Sequence, residues 1–297
     1  MKKYLFVSTF LIIFVSCGPR LIYPHLNWLI PWYVSDYVSL DGSQKNMLQK
    51  RLAKQLDWHC RTQMPAYAET FRAIGQDFSK ADQPINHSKI QFHYNKLMEL
   101  WKGLMKQIGP DITDILITTS NEQIDELFEN LSVQNQEFKE EYVDLSIQQL
   151  NGKRQKRALR RLKPWIPNLT DEQKNVVSAW SSQMVPISED WLLNRELMQI
   201  NARRLLDQRN NGPAFRAALL DLILNPDQIR TSGYQAKIKA NIEITIKYII
   251  HLERLLSPQQ RNHLINRIES LAADFEKLSC DPKDVPGVQG SRFNVQG

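Results

Sequence analysis

Glycine is scarce in this chain, with 11 residues in 297, whereas Leu, Ile, Gln, Lys, Arg and Glu are abundant. Glycine destabilises helices, while straight-chain residues lose little rotamer freedom in them. The composition therefore favours helix over strand. The hydrophobic content of 42% is ordinary for a globular protein, so the chain can bury a core of normal size.

The sequence also lacks a long apolar run at its start. Residues 4–16 are almost uniformly apolar, but 13 residues rise only about 20 Å as a helix, against a hydrocarbon core of about 30 Å. A basic start at Lys2 and Lys3, a short apolar run and the small Ser16 at its end are typical of a cleaved export signal. We therefore expect export rather than a membrane span.

Cys17 follows this run directly. The arrangement resembles a bacterial lipoprotein signal, in which a peptidase cuts before a Cys that becomes the lipidated first residue. Ser16 fits that pattern, whereas Phe14 departs from it, since Leu is preferred there. The resemblance implies a signal peptide at 1–16 and lipidation of Cys17. The alternative is an ordinary signal with a chance Cys.

This resemblance also implies where the protein resides. Removing 16 of the 297 residues leaves 281, and the net charge falls from +6 to +4 with the loss of Lys2 and Lys3. Mature lipoproteins of this type carry three acyl chains, palmitate among them, and more than one chain gives stable anchoring. Because Gly18 rather than Asp follows the Cys, their sorting rule implies the periplasmic face of the outer membrane.

Cysteine is rare, with three residues. If Cys17 is acylated, Cys60 and Cys280 are the remaining thiols. An even pair in an oxidising compartment can form a disulfide, but the sequence does not fix the distance between them. Two alternatives stay open, a Cys60–Cys280 bridge or two unpaired thiols of which one is buried.

The short motifs of common enzymes and metal sites are absent from the sequence. None of the six His residues has a spacing such as H-E-x-x-H, and no G-x-S-x-G, P-loop or dinucleotide fingerprint occurs. His59 and Cys60 are neighbours on a predicted helix and point to different faces. We predict no catalytic residue, no metal site and no cofactor, and the charge is too small to indicate nucleic acid.

From residue 41 onward, apolar residues recur at the spacing of amphipathic helices. One stripe consists of Ile90, Tyr94, Leu97, Trp101, Leu104 and Ile108. Residues 124–145 and 264–278 carry two more. Each apolar face must be buried against another, so the sequence predicts an all-α helical bundle. Residues 241–250 also alternate like a strand, but no neighbouring segment offers a partner strand, so we predict helix there.

Four predicted helix starts share one pattern, a capping side chain followed three residues later by Gln. The capping residues are Asp41, Ser120, Thr170 and Ser257. This is the capping box, in which the cap accepts a bond from an early helix N–H and the Gln reaches back to the N–H of the cap. Capping needs no function to explain it, so these are structural signals first.

The order of the four starts predicts an internal duplication. Gln44 and Gln123 are 79 residues apart, and Gln173 and Gln260 are 87 apart. We predict two related helical repeats. The domain plan is a signal peptide at 1–16, a tether at 17–25, repeat 1 at 26–150, a basic helix and proline hinge at 151–168, repeat 2 at 169–279 and a disordered tail at 280–297.

Residues 26–38 are rich in aromatic side chains. We interpret them as a short helix whose Trp28, Trp32 and Tyr37 pack on the main body. The alternative is a lipid-facing aromatic anchor beside the acylated Cys, since Trp and Tyr favour the membrane interface.

Residues 153–163 hold seven basic residues in eleven. They are Lys153, Arg154, Lys156, Arg157, Arg160, Arg161 and Lys163. The run is a candidate contact for an anionic surface such as lipid headgroups, at about 1 kcal/mol or less per charge. Because an acidic helix precedes it, we favour the alternative that these charges pair within the chain or stay solvated.

Two resemblances to known families follow from these motifs. Residues 27–71 resemble the start of a family of uncharacterised bacterial helical lipoproteins, whose members carry an aromatic stretch, a Y-V-x-L-D-x-x-Q start, a W-H pair and a downstream Pro. Residues 121–144 resemble that family's second helix. A weaker similarity is to the periplasmic stress chaperones related to Spy and CpxP, whose L-T-x-x-Q motif appears at 169–173.

The first resemblance implies no activity, because the family is of unknown function. We therefore expect a lipid-anchored, non-catalytic interaction or scaffold module of the cell envelope, with the membrane and an envelope protein as partners. The alternative from the second resemblance is an ATP-independent periplasmic chaperone, which predicts an exposed apolar concave face. An enzyme is the third hypothesis.

Overall fold

The computed structural model describes residues 19–80 and 83–280. Cys17, the predicted signal peptide and the predicted tail beyond Cys280 lie outside these ranges. Within them all regular structure is helical and the helices pack as a bundle, so the prediction of an all-α bundle is confirmed. Residues 241–250 are part of a long helix, as predicted.

The helices run in chain order as α1 Pro19–Ile22, α2 Leu26–Ser35, α3 Gly42–Trp58, α4 Met64–Ser79, α5 His87–Leu116, α6 Asn121–Phe138, α7 Ile147–Leu162, α8 Asp171–Gln183, α9 Ser188–Asp207, α10 Pro213–Leu224, α11 Ser232–Arg254 and α12 Pro258–Leu278. A 3-10 turn at Tyr23–His25 joins α1 to α2, and a π-helical turn at His59–Gln63 joins α3 to α4. A second π-helical turn, Lys139–Val143, follows α6.

Three hydrophobic clusters form the core. The first joins α4 to α12 and includes Met64 and Phe275. The second joins α6 to α9 and α10 and includes Ile124 and Phe215. The third surrounds Ile166 between α7, α8 and α11. Because the first two clusters combine residues of both predicted repeats, the repeats share a core and do not pack as separate bundles.

All four predicted capping boxes are present. Asp41, Ser120, Thr170 and Ser257 each accept a hydrogen bond from the backbone N–H of the Gln three residues later, and each Gln bonds back to the N–H of its cap. A fifth box begins α7 at Ser146 with Gln149. This fifth box was not predicted, although Ser146 and Gln149 have the same spacing as the other four.

The capping glutamines also pair with one another. One pair lies in each predicted repeat, Gln44 with Gln123 and Gln173 with Gln260. Gln44 Nε2 donates to Gln123 Oε1 at 2.9 Å, and Gln123 Nε2 donates back to Gln44 Oε1 at 2.7 Å. Gln173 and Gln260 form the same reciprocal pair at 2.8 and 3.0 Å. Each pair therefore ties the N-termini of two helices together, α3 to α6 and α8 to α12.

The helix α5 continues through Pro110. A proline inside a helix removes one backbone hydrogen bond and is destabilising. Here α10 packs against α5 on both sides of the proline: a Cβ on Gly109 would lie 2.8 Å from Leu220 Cδ1, and Leu116 packs on the second cluster. Close packing thus preserves a helix that local propensity opposes.

Residues 19–25 are folded, and their prediction as a tether is wrong. Pro19 is buried and α1 packs against α12. The Tyr23 hydroxyl donates to the Leu56 carbonyl oxygen at 3.2 Å, and its ring stacks on His59 with centroids 5.6 Å apart. The contacts of Pro19 and Tyr23 thus attach residues 19–25 to the body of the protein.

Candidate interaction surface

The apolar stripe of α5 is buried only in part. Tyr94 and Trp101 are 37% exposed, and Leu97 and Met98 are 36% exposed. Their spacing of three, four and seven residues places them on one side of the helix. We call these four residues the α5 surface. The expectation that this stripe is fully covered is therefore wrong in its middle part.

The helix that carries this surface is fixed by contacts on its other sides. His93 is buried, and its Nε2 lies 2.9 Å from Asp77 Oδ2 of α4. Burial alone would raise the pKa of Asp77, but His93 and Lys89 hold that pKa below its usual range. Further along, Asp111 binds Arg51 of α3. The α5 surface is thus presented by a helix that is held in place on both sides of it.

The dimensions and side chains of the α5 surface suit a protein contact. The four residues cover about 10 Å of the helix, and half-buried Ile90 and Met105 extend the stripe to about 22 Å. Tyr, Trp and Met are enriched at protein interfaces. Exposed Lys102 and Lys106 follow on the same helix. Phe92 is exposed as well, but its position places it on a different side of α5.

The basic run of α7 is divided between internal contacts and solvent. Arg154 donates to the Ser181 carbonyl oxygen at 2.6 Å, and burial lowers its pKa. Arg157 binds the Tyr142 hydroxyl and lies over its ring, and Lys153 donates to the Glu141 carbonyl oxygen. The other exposed cations of the run are Lys156, Arg160 and Lys163, at positions that share one side of the helix.

The aromatic segment packs with some of its residues only. The Tyr37 hydroxyl donates to Gln134 Oε1 of α6 at 2.9 Å, so Tyr37 contacts the body as predicted. Trp28 and Trp32 are 55% and 44% exposed, more than the prediction that they pack on the body implies. Periodicity could not show this, because an isolated ten-residue helix offers no sign of which side meets the neighbouring helices.

Cys60 and Cys280 are joined by a disulfide, with their Cα atoms 5.2 Å apart. The Cys280 N–H also donates to the Cys60 carbonyl oxygen at 3.1 Å. The structure thus adopts the first of the two alternatives that the sequence leaves open. The bridge connects the π-helical turn before α4 to the second residue after α12, across a sequence separation of 220 residues.

His59 lies beside this bridge and is packed against two tyrosine rings, Tyr23 and Tyr67. Burial lowers its pKa to about 4, so its ring is neutral at neutral pH. Its Nδ1 lies 3.2 Å from the Tyr23 hydroxyl, and its ring also contacts Tyr67. The three rings pack together where α1, α3 and α4 meet. His59 therefore contributes to the packing of these helices.

Within residues 19–80 and 83–280, no group of three or more His, Cys, Asp or Glu side chains could hold a metal ion. A small cavity between α9 and α11 is lined by Asp190, Leu197 and Tyr234, among others, and has space for about one water molecule. No helix in the described part of the chain is long and apolar enough to cross a membrane.

Comparison with known proteins gives a family of unknown function. The family described as "Family of unknown function (DUF6279)" matches residues 36–235. The match starts directly after α2 and ends within α11, so it includes the α5 surface. No curated protein and no solved structure matches the chain. A family of unknown function is what the first resemblance predicts, and the match bears on neither lipidation nor similarity to the chaperones.

Proposed function

The chain belongs to the DUF6279 family of unknown function, and from this premise we propose that it is a lipid-anchored, non-catalytic interaction module of the bacterial cell envelope. The α5 surface is its contact with a partner protein. The observation that carries this proposal is the exposure of four apolar side chains, Tyr94, Leu97, Met98 and Trp101, on one side of α5.

The partner is expected to present an apolar segment. Anchors at i, i+3, i+4 and i+7 are the pattern by which amphipathic helices meet an apolar partner surface. Burying apolar area is worth about 25 cal/mol per Å², and aromatic residues dominate the binding energy of such contacts. The nearby Lys102 and Lys106 favour a partner whose polar edge is acidic.

Two features support the envelope as the compartment. The basic and apolar N-terminal residues up to Cys17 resemble a lipoprotein signal. Independently, the Cys60–Cys280 disulfide is a bond that persists in oxidising compartments and is rare in the cytosol. The outer membrane remains our proposal for the location, since it depends on Gly18 and the sorting rule of lipoproteins.

An ATP-independent chaperone is the second candidate function. Met98 favours it, because methionine is flexible and polarisable and recurs on surfaces that bind many partners. Tyr94 and Trp101 would add apolar area for unfolded segments. This candidate predicts that the purified protein slows the aggregation of a denatured client, and that Leu97→Asp abolishes the effect.

A photocrosslinking amino acid at position 97 is expected to capture one or two envelope proteins in living cells. Because a charge would be buried in the contact, Trp101→Asp should lower that yield at least about tenfold, equivalent to about 1.4 kcal/mol. The measurement is the crosslinked band pattern after purification. Thermal melting by circular dichroism checks that the Trp101→Asp variant stays folded, as expected for an exposed position.

The matched control places the crosslinker at Ile200 of α9, which is also exposed but lies on a different helix. The same bands from positions 97 and 200 would show that the α5 surface has no specific role. A smear of many unrelated proteins from position 97 alone, rising under envelope stress, would favour the chaperone over a module with a fixed partner.

The lipid anchor has its own test. The Cys17→Ala variant is expected to lose its membrane association almost completely and to appear in the soluble envelope fraction, because anchoring depends on the acyl chains. Cell fractionation measures where the protein is found. Mass spectrometry of the N-terminal peptide measures whether residue 17 carries acyl chains. A Cys17→Ala protein that still sediments with membranes as the wild type does would contradict the anchor.

A further inference from the structure

The helix α2 has two distinct sides. Trp28 and Trp32 are one turn apart and therefore lie on the same side, and both are exposed. Leu26 is buried and Tyr33 half-buried, and their positions place them on the far side of the helix from Trp28. One side of α2 thus faces the protein, while the other presents two tryptophans outward.

The helix α2 packs against α3, and Tyr37, two residues after α2, ties this segment to α6. The hydroxyl groups of Tyr33 and Tyr37 share a hydrogen bond of 2.7 Å, and Tyr37 donates to Gln134. Asn130 Nδ2 donates to the Tyr37 carbonyl oxygen at 2.9 Å. These contacts fix the rotation of α2 about its own axis, so the two tryptophans keep their outward direction.

The chain between the anchor and α2 is short, and its described part, residues 19–25, is helical. Pro19 is buried and lies two residues after Cys17, which at full extension spans about 7 Å. From Pro19 to Trp28 the chain is helical, a further distance of about 14 Å at a helical rise. An acylated Cys17 therefore holds the body of the protein, and Trp28 with it, close to the bilayer.

The chemistry of α2 matches a lipid headgroup region. Leu26–Ser35 contains no charged residue, and tryptophan is enriched at the boundary between water and hydrocarbon. Leu21, exposed by 69%, adds a further apolar side chain close to the anchor. We propose that the Trp28–Trp32 side of α2 inserts into the lipid interface beside the anchor and sets the orientation of the protein on the membrane.

This inference rests on the proposed lipidation of Cys17, and its test supplies the anchor chemically. With Cys60 and Cys280 joined, Cys17 is the one free thiol among the three cysteines. The chain from Cys17 onward, which contains every described residue, is coupled through that thiol to a maleimide lipid in vesicles of phosphatidylethanolamine and phosphatidylglycerol. Tryptophan emission is then compared with and without lipids brominated near the headgroup.

Brominated lipid is expected to lower the wild-type emission by roughly a quarter, since two of seven tryptophans would lie at the interface. The Trp28→Phe/Trp32→Phe variant should lose this quenching. The matched control, Trp191→Phe, removes another exposed tryptophan and should keep it.

Absence of quenching in the coupled wild type, or equal quenching in the Trp28→Phe/Trp32→Phe variant, would overturn the inference whether or not cells acylate Cys17. Conversely, an unmodified Cys17 in the mass spectrum of protein from cells would remove the proposed anchor, and with it the membrane contact in the cell. The two failures are therefore distinguishable.

Discussion

Replacing Cys60 by Ala is expected to lower the free energy of unfolding by about 5 kcal/mol, the largest effect of any single substitution considered for this chain. The disulfide joins residues 220 positions apart. In the chain-entropy description, a cross-link restricts the unfolded chain more as the loop it closes grows, and about 5 kcal/mol is the upper end of the observed range. The bond also fixes the ends of α4 and α12, whose contact forms the first cluster.

Urea unfolding of Cys60→Ala, Cys280→Ala and the double variant measures this effect. All three should lose nearly the same stability, because each lacks the same bond. A thiol reductant should lower the free energy of unfolding of the wild type to that of the variants. It should leave the free energy of unfolding of the double variant unchanged. Equal stability of the wild type with and without reductant would show that the bridge contributes nothing to stability, or is not formed.

Local features of this fold could be predicted from the sequence, because they depend on residues close together in the chain. The capping boxes at Asp41, Ser120, Thr170 and Ser257 involve a cap and a Gln three residues later. The recurrence of apolar residues along each helix likewise depends only on residues three or four positions apart. Pro110 shows the limit of such reasoning, since packing by α10 outweighs its local preference for a break.

The candidate surfaces could be predicted only in part. Periodicity identifies Tyr94, Leu97 and Trp101 as one side of a helix, but it does not show whether another helix covers that side. The same applies to Trp28 and Trp32, whose exposure depends on how α2 packs against α3. Exposure is a property of the whole packing, so it could not be obtained from either segment alone.

The paired glutamines have closely similar surroundings in the two halves of the chain. Gln44 Nε2 donates to the Thr118 carbonyl oxygen, and Gln173 Nε2 donates to that of Leu255. In both cases the acceptor lies two residues before the cap of the opposite helix, Ser120 or Ser257. This shared geometry supports the predicted duplication, which stays a prediction because helix starts of this kind can also arise independently.

The replacement Gln173→Ala is expected to cost about 3 kcal/mol of stability, far more than the loss of a helix cap. Gln173 is fully buried, and its side chain makes four hydrogen bonds, to Thr170, Leu255 and both polar atoms of Gln260. Removing it takes one hydrogen bond from each polar atom of the buried Gln260 amide and one from the Leu255 carbonyl oxygen. Each unsatisfied buried group costs about 1–3 kcal/mol.

Gln149→Ala is the matched control, because Gln149 closes the same kind of capping box at Ser146 but is exposed. Its loss should cost about 1 kcal/mol or less, as measured by urea unfolding. The Gln173→Ala/Gln260→Ala double variant should cost clearly less than the sum of the two single variants, since each single variant already removes both hydrogen bonds that the two side chains share. Strict additivity, or equal effects of Gln173→Ala and Gln149→Ala, would mean that the pair acts only as two separate caps. The N-termini of α8 and α12 would then be held together by their apolar neighbours rather than by the amide pair.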